Sequence, residues 1–169
     1  MFTSKIKLTE KQEKRNIENI IHEIKTLIGP INVTWRLKSI SSIQQKMQYN
    51  KVTSLDEIYD IRGIQILCDN VSDCYNVLNI IHKKWKHIPT EFDDYISKPK
   101  KNGYRSLHTV IYDSKGNTFE IQIKTHEMHK KNQENYQEYK NMKYKKNNIV
   151  LQLFATYLNY LKSKKKVKN

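Results

Sequence analysis

A loop rich in lysine and tyrosine, residues 94–108, carries the side chains best suited to bind a nucleotide. Its cations are Lys98, Lys100, Lys101 and Arg105. Pro99 restricts the backbone and Gly103 permits unusual conformations, so the loop can present this fixed positive charge to an anionic ligand. Tyr95 and Tyr104 bracket it, and an aromatic face beside cations suits a base attached to phosphates. The stretch therefore predicts a nucleotide site.

Glu120 is the acidic residue of a second stretch, which has the alternation of a strand. Glu120, Gln122 and Lys124 share one face, and apolar side chains lie on the other. Asp60 stands just before residues 61–68, whose branched side chains predict a central strand. Two carboxylates that meet at one sheet edge can hold a hard cation through oxygen ligands. Taken alone, Asp60 is equally consistent with a helix or turn cap.

A group of cations lies upstream. Arg36 and Lys38 leave a predicted strand just before a predicted helix of residues 39–49, on which Ser42 and Lys46 fall near one face. Cations beside a helix N-terminus can grip a polyphosphate. In a chain so rich in lysine, however, the residues alone favour solvated surface charges.

The elements that must position these residues predict an α/β fold. We expect one domain, residues 1–169, with a core at about 30–145, a helix at 9–28 that ends at Gly29-Pro30, and a helix at 148–162 before a basic tail. The other predicted elements are strands at 31–35, 61–68, 107–112 and 119–124, and helices at 39–49, at 72–86 and from 127 onward. Their order implies a mixed sheet of about five strands flanked by helices. The apolar face of 148–162 suits docking on its own core or self-association, so a homo-oligomer stays open.

The composition favours an anionic partner. The chain has 31 Lys and Arg against 17 Asp and Glu, a net charge of +14, although biased codon usage explains such an excess equally well. No run approaches the roughly 18 apolar residues of a spanning helix, so we expect no membrane segment. Cys68 and Cys74 make neither a disulfide framework nor a zinc site. Together these features predict a cytoplasmic protein.

Two ordered motifs resemble the synthetase domain of the RelA/SpoT family. Residues 94–109 have the pattern Asp-Tyr-Ile-x-x-Pro-Lys-x-Asn-Gly-Tyr-x-Ser-Leu-His-Thr, and residues 120–129 have the pattern Glu-Ile-Gln-Ile-Lys-Thr-x-x-Met-His. The likeness extends upstream through the Arg-x-Lys at 36–38 and the Asp-Ile-Arg-Gly-Ile at 60–64, so it covers roughly residues 30–130.

This resemblance implies a nucleotidyltransferase-like fold and GTP or GDP diphosphokinase activity. The family transfers pyrophosphate from ATP to the 3′-hydroxyl of GDP or GTP with Mg²⁺, which makes (p)ppGpp, the alarmone of the stringent response. By resemblance, Asp60 and Glu120 bind the metal, Glu120 activates the acceptor hydroxyl, and Tyr104 stacks on the guanine. The residues that we assign to ATP are Arg36, Lys38, Ser42, Lys46 and Arg62. The residues that we assign to the acceptor nucleotide are Tyr95, Lys98, Lys100, Asn102, Tyr104, His108, Gln122 and Lys124.

Some residues depart from the family pattern. Gln65 stands where the family usually has Arg, Lys124 replaces another Arg, and residues 130–136 differ from the usual segment. Arg62 is an extra cation, and strand alternation predicts that it shares a face with Asp60, opposite Gln65.

Three interpretations therefore stay open. The first is a (p)ppGpp synthetase. The second is a toxin-type relative that modifies tRNA 3′ ends or adenosine nucleotides, for which the positive charge suits tRNA. The third is a nucleotide-binding module that has lost catalysis. With no His-Asp dipeptide and no length for a hydrolase half, we expect synthesis without hydrolysis. The sequence does not distinguish GDP, GTP and tRNA as acceptor. It also does not determine the oligomeric state or any allosteric regulation.

Overall fold

A five-stranded mixed sheet organises the protein, and the computed structural model describes residues 2–138. The strands are β1 Asn32–Leu37, β2 Arg62–Cys68, β3 Asp93–Asp94, β4 Leu107–Tyr112 and β5 Thr118–Thr125. Their order across the sheet is β1-β2-β5-β4-β3. β2 and β5 pair in parallel, and the other neighbours pair antiparallel. The predicted α/β class with a mixed sheet of five strands is confirmed.

Helices connect the strands of the sheet. They are α1 Phe2–Ile28, α2 Ile40–Asn50 and α3 Val71–Lys84, with short 3₁₀ turns at Leu55–Glu57 and Pro89–Glu91. The described residues fall into two compact units that divide between Lys130 and Lys131. Residues 126–130 end the first unit in helical conformation, and residues 131–138 of the second are also helical. Among the described residues, no helix is long and apolar enough to cross a membrane.

Two element boundaries differ from the predicted ones. α1 begins at Phe2, seven residues before the predicted start, because residues 2–8 contain no Gly or Pro that would interrupt a helix. It ends as predicted, at Ile28, and the following Gly29, with a φ of 91°, closes the helix. β1 runs two residues beyond the predicted 31–35, because Arg36 and Leu37 pair with the start of β2. The predicted helix at 148–162 and the basic tail lie outside the described residues.

The core lies between the sheet and the pair α1 and α3. Phe119, Ile121 and Ile123 of β5 are fully buried there, as their alternation predicts. The helices contribute Ile17, Ile20, Ile24, Cys74, Val77 and Ile81 to the same cluster. Since these side chains occupy one face, the polar residues of β5 must project from the other face of the sheet.

Candidate active site

The register of the sheet aligns the polar residues across the face opposite the core. Arg36 of β1 lies beside Gly63 of β2, which lies beside Glu120 of β5. One step further along β5, Gln122 lies between Gln65 of β2 and His108 of β4. Strands that are distant in sequence therefore present their functional groups side by side.

Asp60 and Glu120 line one small cavity on this face, with a volume of about 170 Å³. Glu120 reaches it from β5, whereas Asp60 reaches it from the turn that precedes β2. Lys46, Asp93 and His108 also line the cavity. The structure thus brings the two predicted carboxylates to the same side of the sheet.

Two lysines hold the Asp60 carboxylate. The Lys38 Nζ lies 2.5 Å and the Lys46 Nζ 2.8 Å from Asp60 Oδ2. Burial raises the pKa of Asp60, but the hydrogen bonds and charges of Lys38 and Lys46 outweigh this and lower it overall. The other oxygen, Oδ1, is buried and has no hydrogen-bond partner within residues 2–138. Asp60 is therefore ionised, with one oxygen left to accept a ligand.

Glu120 is surrounded by groups that favour its charged form. Gln122 Nε2 donates to Glu120 Oε2 at 3.1 Å, His108 Nδ1 lies 3.5 Å from Oε1, and Arg36 Nη2 lies 3.9 Å from Oε2. Burial raises the pKa of Glu120, but His108 and Gln122 outweigh the burial and lower it. A carboxylate that stays ionised at neutral pH can accept a proton or bind a cation.

A polar network extends from Glu120 towards the lysine- and tyrosine-rich loop. The Tyr104 hydroxyl lies 2.8 Å from His108 Nε2. Lys124 Nζ donates to Gln122 Oε1 at 3.0 Å and to the Tyr104 hydroxyl at 3.4 Å. Burial raises the pKa of Tyr104 to about 12 and lowers that of Lys124 to about 8. Lys124 is thus a buried cation whose nearest partners are neutral.

Aromatic rings and a lysine form a cage beside this network. Lys100 Nζ lies 4.1 Å from the centroid of the Tyr95 ring and 5.5 Å from that of Tyr104. The Tyr95 ring stands edge-on to Tyr104 at 6.2 Å and to His108 at 5.3 Å. Such an arrangement can bind a base with a phosphate attached.

Other predicted site residues lie at the margins of the site. Ser42 is in the first turn of α2, where its backbone N–H donates to the capping Ser39 Oγ at 3.3 Å. Asn102 Oδ1 accepts a hydrogen bond from Tyr104 N at 3.2 Å, so this side chain shapes the turn before Tyr104. Lys98 is exposed, and its backbone N–H donates to Asp94 O at 3.1 Å.

Arg62 does not join the cluster around Glu120, which corrects the expected placement. Its guanidinium pairs with Glu13 of α1, with Nη2 at 2.7 Å from Oε1, and lies over the Phe119 ring on the core face. The expectation that Arg62 and Asp60 share a face is wrong, because Asp60 lies in a turn where strand alternation does not apply. Gln65 is the residue that faces the site, with Nε2 at 3.4 Å from Thr34 Oγ1.

Comparison with known proteins decides the family. A family described as a region found in RelA / SpoT proteins matches residues 35–149. The chain belongs to the RelA/SpoT family.

Relatives in this family include long enzymes and small ones. The chain is 48% identical to the Escherichia coli K12 GTP pyrophosphokinase over 94 residues, which is 56% of this chain and 12% of that enzyme. It is 43% identical to a probable chloroplastic GTP diphosphokinase of Arabidopsis thaliana over 129 residues, 76% of this chain and 17% of that protein. The chain thus spans less than a fifth of the length of these two relatives.

Solved structures of small RelA/SpoT relatives share the fold. The small alarmone synthetase 2 of Bacillus subtilis superposes with a TM-score of 0.65 at 28% identity, over 78% of each chain. The B. subtilis small alarmone synthetase 1 bound to its product pppGpp has a TM-score of 0.60 at 27% identity, over 69% of this chain and 70% of that one. The fold is therefore that of the small alarmone synthetases.

The donor set of this RelA/SpoT chain fits a hard cation. Asp60 Oδ1 is a buried oxygen with no partner in the described part of the chain, and the residue Asp60 lines the same cavity as Glu120. No group of three or more His, Cys, Asp or Glu residues within residues 2–138 forms a complete metal cage. Asp60 and Glu120 could supply the one or two carboxylates that Mg²⁺ usually takes from a protein before water and substrate phosphates complete its shell.

Gly63, which the sequence patterns did not mark as a site residue, leaves room for the Arg36 side chain in this RelA/SpoT chain. A Cβ added at Gly63 would lie 3.2 Å from both Cγ and Nε of Arg36. The glycine therefore lets the Arg36 side chain cross β2 towards Glu120. A glycine inside a run of branched strand residues signals a close approach of this kind.

Proposed function

We propose that this chain is a (p)ppGpp synthetase, a Mg²⁺-dependent GTP or GDP diphosphokinase that transfers pyrophosphate from ATP to the 3′-hydroxyl of the acceptor. The convergence of Asp60 and Glu120 on one cavity, between a group of cations and an aromatic cage, carries this proposal. The likeness to a B. subtilis synthetase bound to pppGpp supports it. Because the proposed substrates are nucleotides of the cytosolic pool, we also propose that the protein is cytoplasmic.

The donor side of the site binds the ATP phosphates. Arg36, Lys38 and Lys46 bring three positive charges to the rim of the cavity, and Ser42 adds the N-terminal turn of α2. Asp60 and Glu120 would hold Mg²⁺, which would supply positive charge to neutralise the triphosphate. Phosphoryl-type transfer depends chiefly on such positioning and charge stabilisation.

The acceptor side places the nucleophile beside Glu120. Tyr104 and Tyr95 hold the base, Lys100 and Lys124 attract the acceptor phosphates, and His108 orients the Glu120 carboxylate. Since Glu120 is ionised, it can accept the proton of the 3′-hydroxyl as that oxygen attacks the β-phosphorus of ATP. The bond from the β-phosphorus to the α,β-bridging oxygen breaks, and AMP leaves.

A transfer assay tests the proposal. Purified protein is incubated with Mg²⁺, ATP labelled at the β-phosphate, and separately GDP, GTP, ATP or deacylated tRNA as acceptor. We expect label on the guanosine nucleotides. Label on tRNA or on adenosine nucleotides would instead support a toxin-type relative, and no transfer to any acceptor would support a nucleotide-binding module without catalysis.

Gly63→Ala should lower kcat/KM for ATP about tenfold, because the new Cβ forces the Arg36 side chain away from its present path. One charge-assisted contact is worth roughly 1.5–3 kcal/mol. Steady-state kinetics measure the effect, and a thermal melt checks that the strand is intact. In an Arg36→Ala background, Gly63→Ala should have almost no further effect. Equal losses in both backgrounds would contradict the role assigned to Gly63.

Acceptor affinity should fall as the pH rises through about 8, because burial lowers the pKa of Lys124 to that value and the side chain loses its charge above it. Losing this cation beside the acceptor phosphates should raise the acceptor KM roughly tenfold by pH 9.5. Lys124→Arg keeps the charge, so this variant should lack the inflection near pH 8. Identical pH profiles for the two proteins would rule out Lys124 as the titrating group.

A further inference from the structure

Asp94 fixes the start of the lysine- and tyrosine-rich loop. Its Oδ1 accepts hydrogen bonds from Ile96 N at 3.0 Å and from Ser97 N at 2.9 Å. Its backbone carbonyl accepts from Lys98 N at 3.1 Å. Three consecutive backbone N–H groups of the loop are thus anchored to one residue, which determines the direction in which the chain leaves β3.

Tyr75 of α3 holds Asp94 from the other side. The Tyr75 hydroxyl donates to Asp94 Oδ2 at 2.9 Å. Its neighbours Cys74 and Val77 are buried in the core, and Asp94 pairs with the buried Leu107, so the phenol reaches the start of the loop from the core side of the sheet. The Ile96 and Ser97 amides donate to Oδ1 of Asp94, so the Tyr75 hydroxyl uses the other carboxylate oxygen, Oδ2.

The protonation states of this pair favour a strong hydrogen bond. Burial raises the pKa of Asp94, but the Ser97 N–H and the Tyr75 hydroxyl outweigh this and lower it overall. Burial and the Asp94 carboxylate raise the pKa of Tyr75. At neutral pH a neutral phenol therefore donates to an ionised carboxylate, a charge-assisted arrangement.

The anchored turn sets the position of Tyr95. Tyr95 N donates to Ser106 O at 3.0 Å, and the buried Ser106 Oγ donates to Ile123 O at 3.1 Å. One side of the loop is thus tied to the sheet through Ser106. The other side depends on Asp94 and, through it, on Tyr75. The ring of Tyr95 lies between these two attachments, next to Lys100 and His108.

We propose that Tyr75 is a positioning residue for the acceptor nucleotide, which acts by holding Asp94 and thereby the loop that carries Tyr95 and Lys100. The inference rests on the proposed function for its kinetic consequence. Its structural consequence, an ordered turn at residues 94–98, does not depend on catalysis. Tyr75 lies outside the set of side chains that we propose to contact the nucleotide, and its hydroxyl decides how well the pocket is formed before the nucleotide binds.

Hydrogen exchange on Tyr75→Phe tests the structural part. The variant keeps the aromatic ring and removes one hydroxyl, so the fold should be retained. Exchange of the Ile96 and Ser97 amides should become about threefold or more faster, while the amides of β5 keep their rates. Tyr49→Phe, at a residue of α2 that is 88% exposed, is the matched control and should leave these amides unchanged. Unchanged exchange at both amides in Tyr75→Phe would overturn the inference.

Kinetics test the functional part. Tyr75→Phe should raise the acceptor KM about three- to tenfold, which corresponds to the loss of one hydrogen bond. The ATP KM and kcat should stay within about twofold of wild type. In an Asp94→Asn background the same change should have a smaller effect. Equal increases in the KM of both substrates would overturn the positioning role. If the wild-type chain transfers no pyrophosphate, the proposed function fails, and the exchange rates still decide whether Tyr75 orders the loop.

Discussion

Glu120→Gln should lower kcat for pyrophosphate transfer about 10²- to 10⁴-fold, the range expected for loss of a general base. The amide has nearly the same shape and can still accept a hydrogen bond, but it cannot take the proton of the 3′-hydroxyl and binds a cation more weakly. His108, Gln122 and Arg36 surround this carboxylate. Because the amide has nearly the same shape, the substitution removes the charge and keeps the packing against these neighbours. Single-turnover transfer to GDP, with a thermal melt in parallel, measures the effect.

The matched control is Glu23→Gln, which removes an equivalent charge from α1. Glu23 forms an exposed ion pair with Lys84, 3.5 Å between Oε2 and Nζ, and neither residue lines the cavity of Asp60 and Glu120. Exposed pairs of this kind contribute little to stability, so transfer should stay within about twofold of wild type. A Glu120→Gln protein that is folded and within threefold of wild-type kcat would exclude Glu120 as the base.

Asp60→Asn should raise the Mg²⁺ concentration for half-maximal activity at least tenfold and reduce kcat/KM about 10²-fold or more, because a metal ligand supplies several kcal/mol of charge stabilisation. The loss has two causes. The buried Oδ1 no longer carries negative charge towards the cation, and Lys38 and Lys46 lose the anion that holds them at the cavity. Transfer rates measured over a Mg²⁺ titration report both constants.

Asp69→Asn is the control for this variant, since Asp69 lies just beyond the other end of β2 and its side chain is 92% exposed. It should leave the Mg²⁺ dependence unchanged. Should Asp60→Asn reduce activity without altering the Mg²⁺ dependence, Asp60 would be a partner for the two lysines and not a metal ligand.

Local patterns allowed much of the fold to be predicted. The alternation of β5 showed which side chains enter the core and which face the site, because a strand has a period of two. Gly29-Pro30 showed where α1 ends, because few sequences can continue a helix through that pair. The helix capped by Ser39 and the branched run of β2 were likewise visible in short windows of sequence.

Contacts between distant segments could not be predicted in the same way. Arg62 looked like a free cation near Asp60, yet Glu13, 49 residues earlier, binds it on the core face. β3 has only two residues, which are too few to show the alternation of a strand. Its pairing with β4 is what makes it part of the sheet. Asp60 faces the cavity from a turn, where no period determines the direction of a side chain.

By itself, the sequence determined the residue types of the candidate site, the two faces of β5 and the order of the longer elements, because motifs and periodicity are properties of neighbouring residues. Only the tertiary structure decided that Arg36 crosses Gly63 to approach Glu120, and that Tyr75 of α3 holds the loop of Tyr95 through Asp94. The physical reason is that strand register and helix packing are set by the burial of the whole core. Side chains separated by many residues therefore meet only after the sheet has formed.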